Sequence, residues 1–245
     1  LTLKTILCKD YDEMSREAAK LVAAQIKAKP NSVLGFATGS SPVGLYRELV
    51  RMNRAGEIDF SEITTFNLDE YYPIQRSNDQ SYYYFMFKNL FNDVNIKKEN
   101  VNVPNGEVAD PDAECAAYDK KIEAYGGIDL QVLGIGRNGH IGFNEPDDKL
   151  YAATHVTGLT QSTFEANSGY FENPNDMPMK ALTMGLGAIM KAKKIVMVIN
   201  GKAKAEAVRR LYDGMVGTDC PATFVQLHPD ATVLLDQEAA EYLNK

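Results

Sequence analysis

Three residues suited to moving protons or orienting a sugar fall within six positions of one another: His140, Asn144 and Glu145, in DLQVLGIGRNGHIGFNEP (129–146). An imidazole with a nearby carboxylate forms an acid–base pair, the carboxylate fixing the ring's tautomer and direction. A turn-capping His and a solvated Glu account for either residue alone, but their clustering among glycines favours a site. The stretch follows the apolar run LQVLGI, and ligands in open α/β sheets sit beyond the carboxyl ends of strands.

Two more strand ends carry usable groups. FATGSSPVGLY sets Thr38, Gly39, Ser40 and Ser41 between the strand 33–37 and a helix opened by Pro42, with Ser41 as its cap. Free amides, hydroxyls and the positive end of a helix dipole suit a phosphate there, and a plain capped turn would read the same way. TFNLDEYYP ends the strand 63–69 with Asp69 and Glu70, where loop capping is the ordinary use of an acid. Lys204 falls in the first turn of the helix after VMVIN, where the macrodipole disfavours a cation; a bound anion explains it, and so does solvent exposure.

Gly134-x-Gly136-x-x-Gly139 matches the dinucleotide-binding pattern on paper. That pattern needs its third glycine inside a newly opened helix and an acid about 20 residues on, after the next strand. HIGFNEP follows instead, with β-favouring residues, another Gly and then Pro146, and no strand-plus-acid comes near residue 160. The glycines therefore serve a sharp turn or the close approach of a small ligand.

The elements that must position these groups are legible as alternating strands and helices. Strands are expected at 3–8, 33–37, 63–69, 130–135, 195–200 and 231–236. Helices are expected at 10–30 with an Asp10…Glu13 capping box, from Pro42, at 81–91, around 112–125, at 201–212 and at the end of the chain. This order implies an α/β fold: a Rossmann-like, doubly wound, largely parallel sheet with helices on both faces. No repeat or linker divides the 245 residues, so 1–245 reads as one domain. The polar, Gly/Asn/Pro-containing stretch near 157–180 reads as a lid. Tyr82, Tyr83, Tyr84, Phe85 and Phe87 read as core and helix surface.

A formal charge of −7 argues against a nucleic-acid surface, so an anionic substrate requires a local positive pocket. No apolar run reaches membrane-spanning length, and the charged start does not read as a signal peptide. Cys8, Cys115 and Cys220 are odd in number and widely spaced, as in reduced cytoplasmic proteins. The three histidines, His140, His155 and His228, lack metal-ligand spacing, and no metal is expected.

GFATGSSPVGLY, FNLDEYY, SYYYFMFKNLF, GIGRNGHIGFNEP and ALTMGLGAIM occur in an order, and over a span, that resembles the glucosamine-6-phosphate deaminase family. The resemblance implies conversion of glucosamine 6-phosphate and water to fructose 6-phosphate and ammonia, with no cofactor. It implies His140 supported by Glu145 as the ring-opening acid–base, and Asp69 as the base at C2. Thr38, Gly39, Ser40, Ser41 and Lys204 are implied as the phosphate contacts.

Asn138 stands where the hexameric, activated branch has Asp, so it can orient but not act as a base. Gly169 stands where that branch has Arg, and Asp148, Lys149, His155 and Thr157 replace its activator-binding residues. A short, unregulated form is expected, a monomer rather than a homo-oligomer. Three alternatives stay open: a 6-phosphogluconolactonase, against which Asp69 and Glu145 together count; a sugar-phosphate sensor domain; and an aldose–ketose isomerase that releases no ammonia.

Overall fold

A computed structural model describes residues 3–243. Seven strands form one wholly parallel sheet: β1 (Lys4–Leu7), β2 (Val33–Phe36), β3 (Thr64–Asn67), β5 (Val101–Asn102), β6 (Leu130–Leu133), β9 (Ile195–Ile199) and β10 (Ala231–Leu235). Their order is β1-β10-β9-β6-β2-β3-β5. From β2 the chain winds outward through β3 to β5; from β6 it winds the other way through β9 to β10. The switch therefore lies between β2 and β6, where such sheets open a crevice at their carboxyl ends.

Alternation along the strands divides the core between the two faces. On β9, Val196 and Val198 pack with Met14, Ala18 and Val22 of α1 (Tyr11–Ala28) and with Leu45 and Leu49 of α2 (Val43–Arg54). Ile195, Met197 and Ile199 face Tyr118 and Ile122 of α4 (Pro111–Ala124), Ile189 of α6 (Leu186–Met190) and Val208 of α7 (Ala205–Leu211). β9 is buried on both faces, which explains its unbroken apolar sequence. Asp10 caps α1 by accepting from Glu13 N at 2.8 Å, a contact of about 1 kcal/mol in typical helices. Glu13 in turn accepts from Lys9 N, one residue before the cap.

Several expectations are corrected. The strand read as 63–69 stops at Asn67, and after Leu68 β4 (Asp69–Tyr72) begins in a separate antiparallel sheet, β4-β8-β7, with β7 (His155–Gly158) and β8 (Lys180–Thr183). Asp69 thus starts a strand rather than ending one. Ser41 does not cap α2; Pro42 holds the cap position, without a side-chain bond, and the Ser41 hydroxyl donates to Asn200 Oδ1 at 2.6 Å. Lys202–Lys204 form a 3₁₀ turn ahead of α7, and the final helix is a run of turns over 237–243. The stretch 157–180 is largely folded, containing the end of β7, α5 (Gln161–Asn167) and two 3₁₀ turns before β8. The aromatic helix is α3 (Tyr82–Met86) continued by a π-helical turn over Phe87–Phe91.

Candidate active site

A cavity of about 540 Å³ opens at the β2/β6 switch, and eight of the nine residues singled out from sequence line it: Thr38, Gly39, Ser40, Ser41, Asp69, Asn138, His140 and Lys204. The ninth, Glu145, lies buried behind His140.

The turn after β2 is fixed from below by α2. The Tyr46 hydroxyl accepts from Ala37 N and donates to Ala37 O, so the strand end cannot swing. Among the described residues the amides of Gly39, Ser40 and Ser41 donate to no protein acceptor, which leaves them for an anion. Across the cavity, Asp236 accepts from Gly201 N with both carboxylate oxygens and sets the turn that carries Lys204. The Lys204 ammonium donates to Ile135 O at 2.6 Å. Burial, followed by the charge of Arg137, lowers its pKa to about 8.

The loop after β6 opens no helix, so its glycines do other work. A Cβ on Gly136 would overlap the His140 ring at 2.3 Å, so the imidazole lies directly against the backbone there. Gly139 takes φ +87°, and its backbone abuts Cys220. His140 Nδ1 lies 3.3 Å from Glu145 Oε2, close enough for charge pairing though out of hydrogen-bond alignment. Oε2 also accepts from Asn138 Nδ2 at 2.7 Å, and Oε1 accepts from the Thr163 hydroxyl. Burial pushes the Glu145 pKa up, but the close approach and charge of His140, with the Thr163 and Asn138 hydrogen bonds, outweigh burial and bring it to about 2. Asn144 is structural: its amide donates to Ile141 O and Met184 O, tying the loop to the end of β8.

Asp69 is buried with its carboxyl held well above the ordinary range, first by desolvation and then by the neighbouring Glu70 charge. A Cβ on Gly142 would come within 3.5 Å of Asp69 Oδ2, so the carboxyl lies beside the His140 loop. Glu70 is directed away and accepts from the amides of Tyr71, Tyr82 and Tyr83 at 2.8–2.9 Å. It thereby fixes the start of α3 to β4. Burial, only partly countered by those bonds, raises its pKa to about 7.

Sequence reasoning missed the residues whose use depends on the small sheet. Thr163 and Asn167 of α5 reach the site, Asn167 donating to Tyr71 Oη at 3.1 Å. Tyr82 and Phe85 line the cavity instead of serving only as core, and the Tyr82 ring packs against Tyr71 with centroids 4.8 Å apart. Arg137 also lines the cavity, whereas Gly169 does not. Asp69–Tyr72 (DEYY) and Lys180–Thr183 (KALT) show no period-2 alternation, and four residues are too few to carry one, so no local signal pointed to the second sheet.

As for bound groups, among the described residues no three His, Cys, Asp or Glu side chains converge as metal donors. What converges is an acid–base dyad, a buried carboxyl of raised proton affinity, and a cationic, amide-lined corner. That set can transfer protons on a small anionic substrate.

The comparisons with known proteins agree with this geometry. Residues 9–234 match the model of the family described as glucosamine-6-phosphate isomerases/6-phosphogluconolactonase. The chain is 54% identical over 241 residues to a glucosamine-6-phosphate deaminase of Thermoanaerobacter pseudethanolicus, covering 98% of this chain and 95% of that one. It is 53% identical to a deaminase of Clostridioides difficile, covering 99% and 97%. A solved structure described as a monomeric glucosamine-6-phosphate deaminase superposes with a TM-score of 0.95 at 44% identity, covering 98% of this chain and 99% of that chain. The chain belongs to the glucosamine-6-phosphate isomerase/6-phosphogluconolactonase family.

Proposed function

We propose that this chain is a glucosamine-6-phosphate deaminase, converting glucosamine 6-phosphate and water to fructose 6-phosphate and ammonia. The observation that carries the reading is the charge layout of one cavity: Lys204 and the free amides of 39–41 in one corner, with Asp69 and the His140–Glu145 dyad also on its lining or just behind it. The substrate has a matching layout, a phosphate at C6 and an ammonium at C2.

In this reading His140 takes the proton from O1 of the closed sugar and delivers one to the ring oxygen. Glu145, kept ionised by its donors, steadies the imidazolium in between. Opening creates an aldehyde at C1 and makes the C2 hydrogen acidic. Asp69 removes that proton to give an enolamine and returns it at C1, leaving an imine at C2; water adds there and ammonia departs. The raised proton affinity of Asp69 suits a base, and the arriving ammonium offsets the cost of ionising it. One such base contributes only about 10²–10⁴-fold, so stabilisation of the intermediate's charge must supply more. Carbon is oxidised at C2 and reduced at C1, so the balance needs no redox cofactor. A lactonase would leave the buried Asp69 without a task.

Thr38, Gly39, Ser40, Ser41 and Lys204 hold the phosphate, and Asn138 orients Glu145. The chain acts as one domain over 1–245, with α5 and its flanks as the lid, and as a monomer, like the solved relative. A cytoplasmic location suits three cysteines that are all unpaired and buried; among the described residues no helix is long and apolar enough to cross a membrane. Coupled detection of ammonia and fructose 6-phosphate from glucosamine 6-phosphate tests the reading. Appearance of a sugar product without stoichiometric ammonia would replace it with a plain isomerase.

A further inference from the structure

The cavity lining includes two basic side chains, Lys204 and Arg137, and only the lysine has been given a task so far. Arg47, Arg51, Arg54, Arg209 and Arg210 each pair with a carboxylate on the surface. Arg16, Arg76 and Arg137 have no ion pair within 4.0 Å among the described residues, and of these three Arg137 alone lines this cavity. It stands two residues after Ile135, whose carbonyl holds the Lys204 ammonium, and its charge reaches that ammonium strongly enough to weaken its hold on a proton. Lys204 is half-buried and Arg137 exposed at the cavity mouth; their like charges repel in the empty site and both become favourable around an anion. The anion implied carries more than one charge: a phosphate monoester bears about −1.5 to −2 near neutral pH, which one lysine cannot balance. The free amides of 39–41 and the hydroxyls of Ser40 and Ser41 line the same cavity.

We infer that Arg137 is the second cationic clamp on the substrate's phosphate, acting with Lys204 opposite the 38–41 turn. This rests on the sugar-phosphate reading above and names a binding residue which that reading lacked. Arginine suits the place because its planar fork meets phosphate oxygens two at a time.

The test compares wild type, Arg137→Met and Arg137→Lys in steady-state deamination, with inorganic phosphate as a competitive probe. Arg137→Met should raise KM for glucosamine 6-phosphate about 10- to 100-fold, with the loss falling mainly on KM, and should weaken inhibition by phosphate by a similar factor. Arg137→Lys should recover part of both. The midpoint near pH 8 above which phosphate binding declines should move upward in Arg137→Met, because Lys204 loses its repelling neighbour; a residue that merely shaped the loop would leave it in place. Unchanged KM, phosphate inhibition and midpoint in a folded Arg137→Met protein overturn the inference while deamination by wild type stands. Arg137-dependent phosphate binding in a wild type that releases no ammonia would keep the clamp and overturn the deaminase reading instead.

Discussion

Thr163 of α5 donates its hydroxyl to one oxygen of Glu145, and the other oxygen of the same carboxylate faces His140 at 3.3 Å. A segment that lines the cavity is therefore bonded to the His140–Glu145 pair. The position of α5 and that of the Glu145 carboxylate are thus tied to each other.

Thr163→Val keeps the shape of the side chain and removes the donor. It should lower kcat/KM for glucosamine 6-phosphate about 10-fold, as expected when a buried carboxylate loses one charge-assisted bond. Thr163→Ser should restore most of the rate. Equal rates for the Val and Ser variants would show that the hydroxyl has no part in holding Glu145.

Asp69→Asn should abolish ammonia release while fructose 6-phosphate still binds, measurable by calorimetry. It should also stabilise the protein. Because the folded-state pKa of Asp69 lies above its unfolded value, the folded state holds the extra proton between the two. Stability is thus lost as pH rises through the folded pKa, at about 1.4 kcal/mol for each pH unit that separates the folded and unfolded values. Asparagine escapes that loss, so the variant should melt higher than wild type at about pH 8, with the gap closing below about pH 4, near the ordinary carboxylate value. A variant that melts lower at both pH values would contradict the assigned direction.

Lys204 gives a pH dependence in binding rather than in stability. Its pKa is lowered to about 8, so the free enzyme loses this phosphate contact as pH rises through that value. KM should climb above about pH 8 by up to roughly tenfold per pH unit, and kcat, which reports the occupied site, should change less. A KM that stays flat to about pH 9.5, well beyond that midpoint, would remove Lys204 from the phosphate corner.

Gly136→Ala probes the loop by steric means alone. The added methyl meets the His140 ring at 2.3 Å, and Gly136 does not take a positive φ, so backbone strain is not at issue. The ring must leave its seat against residue 136 and with it its set position beside Glu145, and activity should fall at least about 100-fold while phosphate still inhibits or binds normally. Retention of more than a tenth of the activity would mean that the ring has room to adjust.

Legibility of the sequence follows the range of the interactions. Most strands and helices of the large sheet are readable because they carry a local apolar pattern over several turns or a buried run, as in α1 and β9, whereas the two-residue β5 and the five-residue α6 are too short to show one and are not among the expected elements. The turns at 38–41 and 134–145 are readable because glycines, hydroxyls and ionisable groups are concentrated there. The failed dinucleotide pattern is also readable, and the structure shows what its glycines do instead: Gly136 gives the imidazole its seat, and Gly139 makes a turn against Cys220. The small sheet is not readable, since its four-residue strands are brought together from positions 69–72, 155–158 and 180–183 by pairing alone. The bonds of Thr163 and Asn167 and the cavity-facing role of Tyr82 are hidden with it. Ser41 reads as a cap yet lies one position too early, because Pro42 fits the cap itself and the hydroxyl is drawn to Asn200.

Only Leu68 separates the last residue of β3 from Asp69, the first of β4, yet the two strands belong to different sheets. In the proposed reading the grip on the substrate's tail is thus built on one layer and the C2 base, with α5, on another, joined at this point by a single buried residue bonded to both sheets. Selection, or an engineer, can therefore retune which amino sugar is processed by altering the smaller layer and leave the anchoring corner untouched.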